Sequence, residues 1–232
     1  MYTQNEYTPK SFSILPPVCK NLLIINTLMW LLTGVLKYRG IDLTSLLGLH
    51  FVQASHFRFW QPITYAFMHA NFNHLFFNMF ALWMFGYTLE NMWGSKKFII
   101  FCLITALGAA LAQEITYFFM NYNLLTGGYQ GVSFPDGSKI PVKEYLNIFN
   151  TIGASGIVFG VLLAFGMMFP NTYIYLYFLV PMKTKWFVIG YCALELFNGV
   201  LGTSDGVAHF AHLGGALAAL VLIFIWEKKS RI

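Results

Sequence analysis

The stretch HANFNHLFFNMFALWMFG, residues 69–86, carries no charged side chain, and its length approaches the roughly 20 apolar residues that a helix needs to cross a bilayer core. It nevertheless holds His69, His74 and Asn78. Composition decides whether such a run belongs in lipid or in a soluble core. Of 232 residues, only 10% are charged and 57% are hydrophobic, against roughly 25% and 45–50% in ordinary globular chains. Nine acidic and 14 basic side chains are too few to solvate a globule of this length, and 24 Phe, 13 Tyr and 6 Trp exceed what one compact core uses. The expected class is an all-α, polytopic membrane protein. Disorder is excluded by the same figures, because it needs low hydrophobicity and high net charge.

Working outward with a bilayer-length window gives six expected spans, at residues 19–36, 70–90, 97–119, 147–169, 185–202 and 206–226. They form one membrane domain over 19–227, between a polar segment 1–18 and a basic tail 228–232. The first segment does not have the pattern of a cleavable signal peptide. Between Ile41 and Met68 the chain is broken by His50, His56, Arg58 and Pro62. It reads as an interfacial loop with Phe57, Phe59 and Trp60 as headgroup-level anchors. Residues 121–144, with Gly127-Gly128, Pro135-Asp136-Gly137 and Pro141, read as a turn-rich aqueous loop.

Six spans put both termini on one side. With the termini inside, that side holds Lys10, Lys20, Lys96, Lys97, Lys183, Lys185, Lys228, Lys229 and Arg231, and the other holds Lys37, Arg39, Arg58, Lys139 and Lys143. The bias places both termini in the cytoplasm and fits a bacterial inner membrane. It also accounts for the +5 formal charge without a nucleic-acid partner. Cys19, Cys102 and Cys192 have neither disulfide nor metal-type spacing.

Polar residues at bilayer depth are costly and mark candidate sites. Three clusters fall in the outer halves of their spans. His74 and Asn78, four apart, share a helix face, with His69 just before it. Ser155 opens the fourth span between Gly153 and Gly156, where small neighbours allow close approach. Unpaired N–H groups of a helix's first turn could there stabilise an oxyanion. In the last span, His212, Gly215 and Ala219 form a small-residue face suited to tight packing on a neighbouring helix. If that neighbour is the fourth span, His212 meets Ser155. Glu90, Glu114 and Glu195 read as polar packing residues, Glu90 capping the inner end of its own helix.

Together, HANFNHLFFN, GASG and AHLGG, in this order and in these spans, make residues 57–220 resemble the rhomboid family of intramembrane serine proteases. The resemblance implies a six-transmembrane-helix bundle with an interfacial first external loop. It implies Ser155 as nucleophile and His212 as general base, a dyad with no carboxylate. It also implies an oxyanion hole of His74, Asn78 and the Ser155 backbone, with His69, Gly153, Gly156, Phe159 and Gly215 in support. Phe159 stands where a Tyr commonly stacks on the catalytic histidine, and Trp60-Gln61 resembles the family's Trp-Arg pair with Gln in place of Arg. The implied activity is cleavage of peptide bonds in or near transmembrane segments through an acyl-enzyme. Its partners are transmembrane protein substrates and the lipid bilayer, and it calls for no cofactor and no metal.

Two other classes remain open. His69, His74, His209 and His212, all near one depth, could make a metal-binding transporter or membrane enzyme, although no HExxH is present. An inactive rhomboid-like protein that binds membrane clients without cutting them is the other. His209, His50 and His56 read as structural or interfacial.

Overall fold

In the computed structural model, residues 12–176, 179–202 and 207–230 are described. The segment 1–11, with Lys10, the start of the expected last span at Gly206, and Arg231 of the basic tail lie outside them. Six long helices carry the architecture: α1 (Pro17–Lys37), α2 (Phe72–Trp93), α3 (Ser95–Met120), α4 (Ser155–Met168), α5 (Thr184–Leu201) and α6 (His209–Ser230). Short antiparallel strand pairs lie in the connections: β1 (Leu49–His50) with the distant β4 (Asn150–Thr151), and the local pairs β2 (Gly131–Ser133) with β3 (Lys139–Pro141) and β5 (Tyr173–Leu176) with β6 (Val180–Lys183).

The helices start and stop where local chemistry dictates. Pro17 occupies the first position of α1, where its missing N–H costs nothing. Asn71 caps α2 by accepting the His74 backbone N–H at 2.9 Å. Gly94, at φ 78°, turns the chain sharply between α2 and α3. By length and composition α1, α3 and the stretch His209–Lys228 of α6 can each cross a membrane. Their outer faces expose Leu28, Leu31, Leu107, Leu111, Leu217 and Val221. That much bare apolar surface is untenable in water and natural against lipid, so the protein is membrane-embedded.

At the centre, α3, α4 and α6 pack through small residues. A Cβ added to Gly215 would collide with the Gly156 carbonyl, one on Gly156 with the Ala109 methyl, and one on Gly108 with the Ala218 methyl. The small-residue face read from the sequence therefore does meet the fourth long helix. Close backbone approach replaces the hydrophobic driving force that lipid removes.

Two expectations need correction. The fourth helix begins at Ser155, not at residue 147. Residues 146–148 form a 3-10 turn, Asn150 and Thr151 pair with β1, and Gly153 takes φ 127°, so the preceding chain is extended. With 14 residues, α4 rises about 21 Å, short of the ~30 Å hydrocarbon core, and its start is sunk among its neighbours. The second correction concerns Glu90, whose carboxylate does not cap its own helix. It accepts the Val18 and Cys19 backbone N–H groups at 2.8 Å each and the Ser95 hydroxyl at 2.7 Å. A helix C-terminus presents carbonyls that repel a carboxylate, whereas the N-terminus of α1 presents unpaired donors and a positive dipole end.

The connection from α1 to α2 is held by side-chain hydrogen bonds. Gln61, fully buried, donates to the Leu46 and His56 carbonyls at 3.3 and 3.0 Å and accepts the His50 N–H at 3.2 Å. The Trp60 indole donates to the Leu46 carbonyl at 3.1 Å, while Phe59 is 84% exposed. His50 and His56 reach the Ser45 carbonyl and hydroxyl at 3.1 Å each, as structural readings expect. Burial pushes the His50 imidazole below its usual range. Glu114 accepts the Val52 N–H at 2.9 Å and pins this connection to α3. The expected aqueous loop contains the β2–β3 hairpin, closed by Asp136, which accepts the Ser138 N–H at 2.9 Å, with Gly137 at φ 84°.

Candidate active site

Ser155 is placed by what precedes it. The β1–β4 pairing, the Tyr117–Thr151 hydroxyl contact at 2.8 Å and the Gly153 N–H donated to the Tyr65 carbonyl at 2.9 Å bring the chain in extended. Gly153 must be glycine on two counts. Its φ of 127° is hostile to a side chain, and a Cβ would lie 2.6 Å from His74 Nε2. The same imagined atom would be 3.6 Å from Ser155 Oγ, so the His74 ring and the Ser155 hydroxyl flank one glycine.

The α4–α6 packing brings His212 Nε2 to 2.8 Å from Ser155 Oγ, the separation needed for proton transfer between nucleophile and base. Phe159, one turn beyond Ser155, stacks on the His212 ring with centroids 4.5 Å apart and planes 10° from parallel. Tyr191 of α5 packs against Phe159 in turn, with centroids 4.6 Å apart and planes tilted by 46°.

Sequence reasoning missed the residue behind His212. Glu195 of α5, 4% exposed, places Oε2 2.9 Å from His212 Nδ1 and 2.7 Å from His209 Nδ1. The sequence reading has a serine and a histidine with no carboxylate, Glu195 as packing and His209 as structural. The structure instead shows the carboxylate in contact with both rings. One signal was available: Glu195 is the single acidic residue of a bilayer-length apolar segment, and such a residue needs a partner. Its partner lies on another helix, which no spacing rule reveals.

The opposite wall is assembled differently. His69 and His74 meet edge to face with centroids 4.9 Å apart. The Nδ2 of buried Asn78 has no hydrogen-bond partner among the described residues, and the ring nitrogens of buried His69 have at most a weak contact with the Phe67 carbonyl. His74, Asn78, Ser155, Phe159 and His212 all line one cleft of about 1350 Å³. Its sides are Phe77, Ala81 and Met84 of α2 and Phe187, Tyr191 and Leu194 of α5, with Tyr173 and Tyr175 farther along. The site is thus the polar part of a long, largely apolar furrow.

The fold and the site define a membrane-embedded helical protein with a serine at a sunken helix start and a histidine hydrogen-bonded to it. The chain belongs to the rhomboid family: the family model described as Rhomboid domain matches residues 56–229, about three quarters of the sequence. Among its relatives, RHOMBOID-like protein 12, mitochondrial, of Arabidopsis thaliana is 29% identical over 68% of this chain and 44% of its own. Rhomboid-like protein 11, chloroplastic, of the same plant is 28% identical over 89% of this chain and 64% of its own. Rhomboid protease GlpG of Yersinia pestis is 24% identical over 62% of this chain and 59% of its own. The chain therefore spans from under half to just under two thirds of the length of these relatives.

Proposed function

We propose that this protein is an intramembrane serine endopeptidase that cuts peptide bonds in or near the transmembrane segments of other membrane proteins. The observation that carries the reading is the 2.8 Å contact between Ser155 Oγ and His212 Nε2, both of which line the cleft of about 1350 Å³. In the reaction, His212 takes the Ser155 proton as Oγ attacks the scissile carbonyl. The tetrahedral oxygen faces the N–H groups of the first turn of α4, Asn78 and His74, which supply the stabilisation. His212 then protonates the leaving amine, and water, activated by the same imidazole, hydrolyses the acyl-Ser155 ester.

A helical peptide bond is shielded by its own turn, so the substrate segment has to open before attack. Segments with helix-weakening residues and a small side chain at the bond should be cut first. All six long helices serve as the membrane bundle over 19–227, with both termini and the basic tail on the cytoplasmic face of a bacterial inner membrane. The support for that orientation is the nine-to-five distribution of Lys and Arg. Since relatives carry mitochondrial and chloroplastic names as well as a bacterial one, fractionation of the native membranes tests the compartment.

A metal site is disfavoured by donor chemistry. Both His212 nitrogens are engaged, one with Ser155 and one with Glu195, so an ion would have to displace the serine to reach the Nε2 lone pair. The deciding experiment incubates the purified protein with a fluorophosphonate and, separately, with a model transmembrane substrate. Labelling and cleavage should both vanish in Ser155→Ala, and labelling should vanish in His212→Ala. Full cleavage by Ser155→Ala would refute the reading, and client binding without labelling or cleavage would establish the non-cutting alternative.

A further inference from the structure

We propose that Glu195 is a positioning residue that fixes His212 with its proton on Nδ1, making the hydrolytic centre a Ser155–His212–Glu195 triad in which His209 holds the carboxylate in place. The inference rests on the reading of Ser155 and His212 given above, and it extends that reading to which atom of the base carries the proton.

An ionised carboxylate accepts hydrogen bonds and donates none. Glu195 Oε2 lies within hydrogen-bond distance of two Nδ1 atoms, at 2.7 and 2.9 Å. Each of those nitrogens therefore carries a proton. A neutral imidazole protonated on Nδ1 has its lone pair on Nε2, and that atom of His212 is 2.8 Å from Ser155 Oγ. The hydroxyl consequently donates to a nitrogen already prepared to take its proton. With the proton on Nε2 instead, the Nδ1 lone pair would face the carboxylate lone pairs at 2.9 Å, and the serine would meet a donor.

Stacking cannot supply this selection. The Phe159 ring restrains the plane of His212, but a stacked hydrocarbon face is indifferent to which nitrogen is protonated. Phe159 has no hydroxyl with which to add a polar restraint, and Glu195 provides one from another helix. His209 and His212 are three apart on α6 and so share a face. The second donor keeps Oε2 directed at α6 and compensates a carboxylate that is costly to bury alone. When His212 becomes imidazolium during attack, its new positive charge forms beside Glu195, as in serine hydrolases whose buried carboxylate orients the base.

Two measurements test the proposal. In the first, wild type, Glu195→Gln and Glu195→Asp are purified in detergent and compared for cleavage of the transmembrane substrate. The isosteric Gln should lower kcat by about 10³-fold or more with little change in KM, and Asp, which keeps the charge, should recover part of that loss. A Glu195→Gln enzyme that elutes as a folded species and keeps its kcat would overturn the inference. So would an equal deficit in the Asp and Gln variants, which marks a purely packing role.

The second measurement needs no variant of Glu195. Ring-¹⁵N histidine NMR of the wild-type enzyme, with the His212 signal assigned by its loss in His212→Asn, should show protonated Nδ1 and unprotonated Nε2. The opposite tautomer would overturn the proposal. Wild-type protein without Ser155-dependent labelling would sink the protease reading itself. Normal wild-type labelling with an unaffected Glu195→Gln sinks only the role of Glu195.

Discussion

His212 and His69 are buried histidines of one site, yet their surroundings are opposite. His212 has both ring nitrogens engaged, by Glu195 and Ser155, and its face covered by Phe159. His69 has at most a weak contact with the Phe67 carbonyl at its ring nitrogens, and Asn78 keeps an unpaired buried Nδ2 among the described residues. Unsatisfied buried donors ordinarily cost about 1–3 kcal/mol each, so their retention needs a reason. On the proposed reading the reason for Asn78, which lines the cleft, is timing, while His69 backs the His74 ring. The base must be oriented before substrate arrives, whereas donors for an oxyanion have their partner only while the tetrahedral oxygen exists. The wall that holds a permanent group is satisfied at rest, and the wall that meets a transient charge is left open.

The comparison predicts a graded set of losses. Removing either reacting group, by Ser155→Ala or His212→Ala, should reduce kcat by about 10⁴–10⁶-fold, measured as cleavage of a reconstituted transmembrane substrate. Removing one donor of the open wall, by Asn78→Ala or His74→Ala, should cost about 10²–10³-fold in kcat with unchanged fluorophosphonate-accessible Ser155 and an unchanged melting temperature. Should Asn78→Ala behave like Ser155→Ala, the division into a held base and a waiting donor breaks down.

His69→Phe preserves the ring against His74 and discards both ring nitrogens. As a near volume-conserving exchange it should alter stability by less than about 1.5 kcal/mol and activity by less than about tenfold, because His69 is read as support for the His74 ring. A loss as large as that of Asn78→Ala would promote His69 to a donor. Gly215→Val tests the support of both walls. The added atoms meet the Gly156 carbonyl, so α4 and α6 must separate, at a cost of about 1–3 kcal/mol seen as a lower unfolding midpoint in detergent. The Ser155–His212 distance should open with it and activity should fall.

Much of this site was legible in the sequence. Ser155, His212, His74 and Asn78 stand out because a polar atom at bilayer depth is expensive, and Gly153, Gly156 and Gly215 because small residues permit approach. The geometry brings all of these to one place. The start of α4 is not legible, since residues 147–154 are apolar enough to extend a span. Their extended form depends on pairing with Leu49 and His50, a hundred residues away in sequence. Glu90 was assigned to its own helix because periodicity sees only neighbours along the chain, whereas its carboxylate found the start of α1. The contact of Glu195 with α6 is hidden from the sequence for the same reason.

The sequence by itself determined that the chain lives in a membrane, which segments are apolar, and which uncharged polar residues need an explanation. These follow from transfer energies and from helical spacing, and both are local properties. Tertiary structure decided who meets whom. It put a carboxylate behind His212, gave His209 a partner, set Phe159 flat on His212 and left the Asn78 Nδ2 unpaired among the described residues. Those outcomes depend on how closely α4, α5 and α6 approach. Backbone packing across glycines fixes that approach, in three dimensions that no linear spacing encodes.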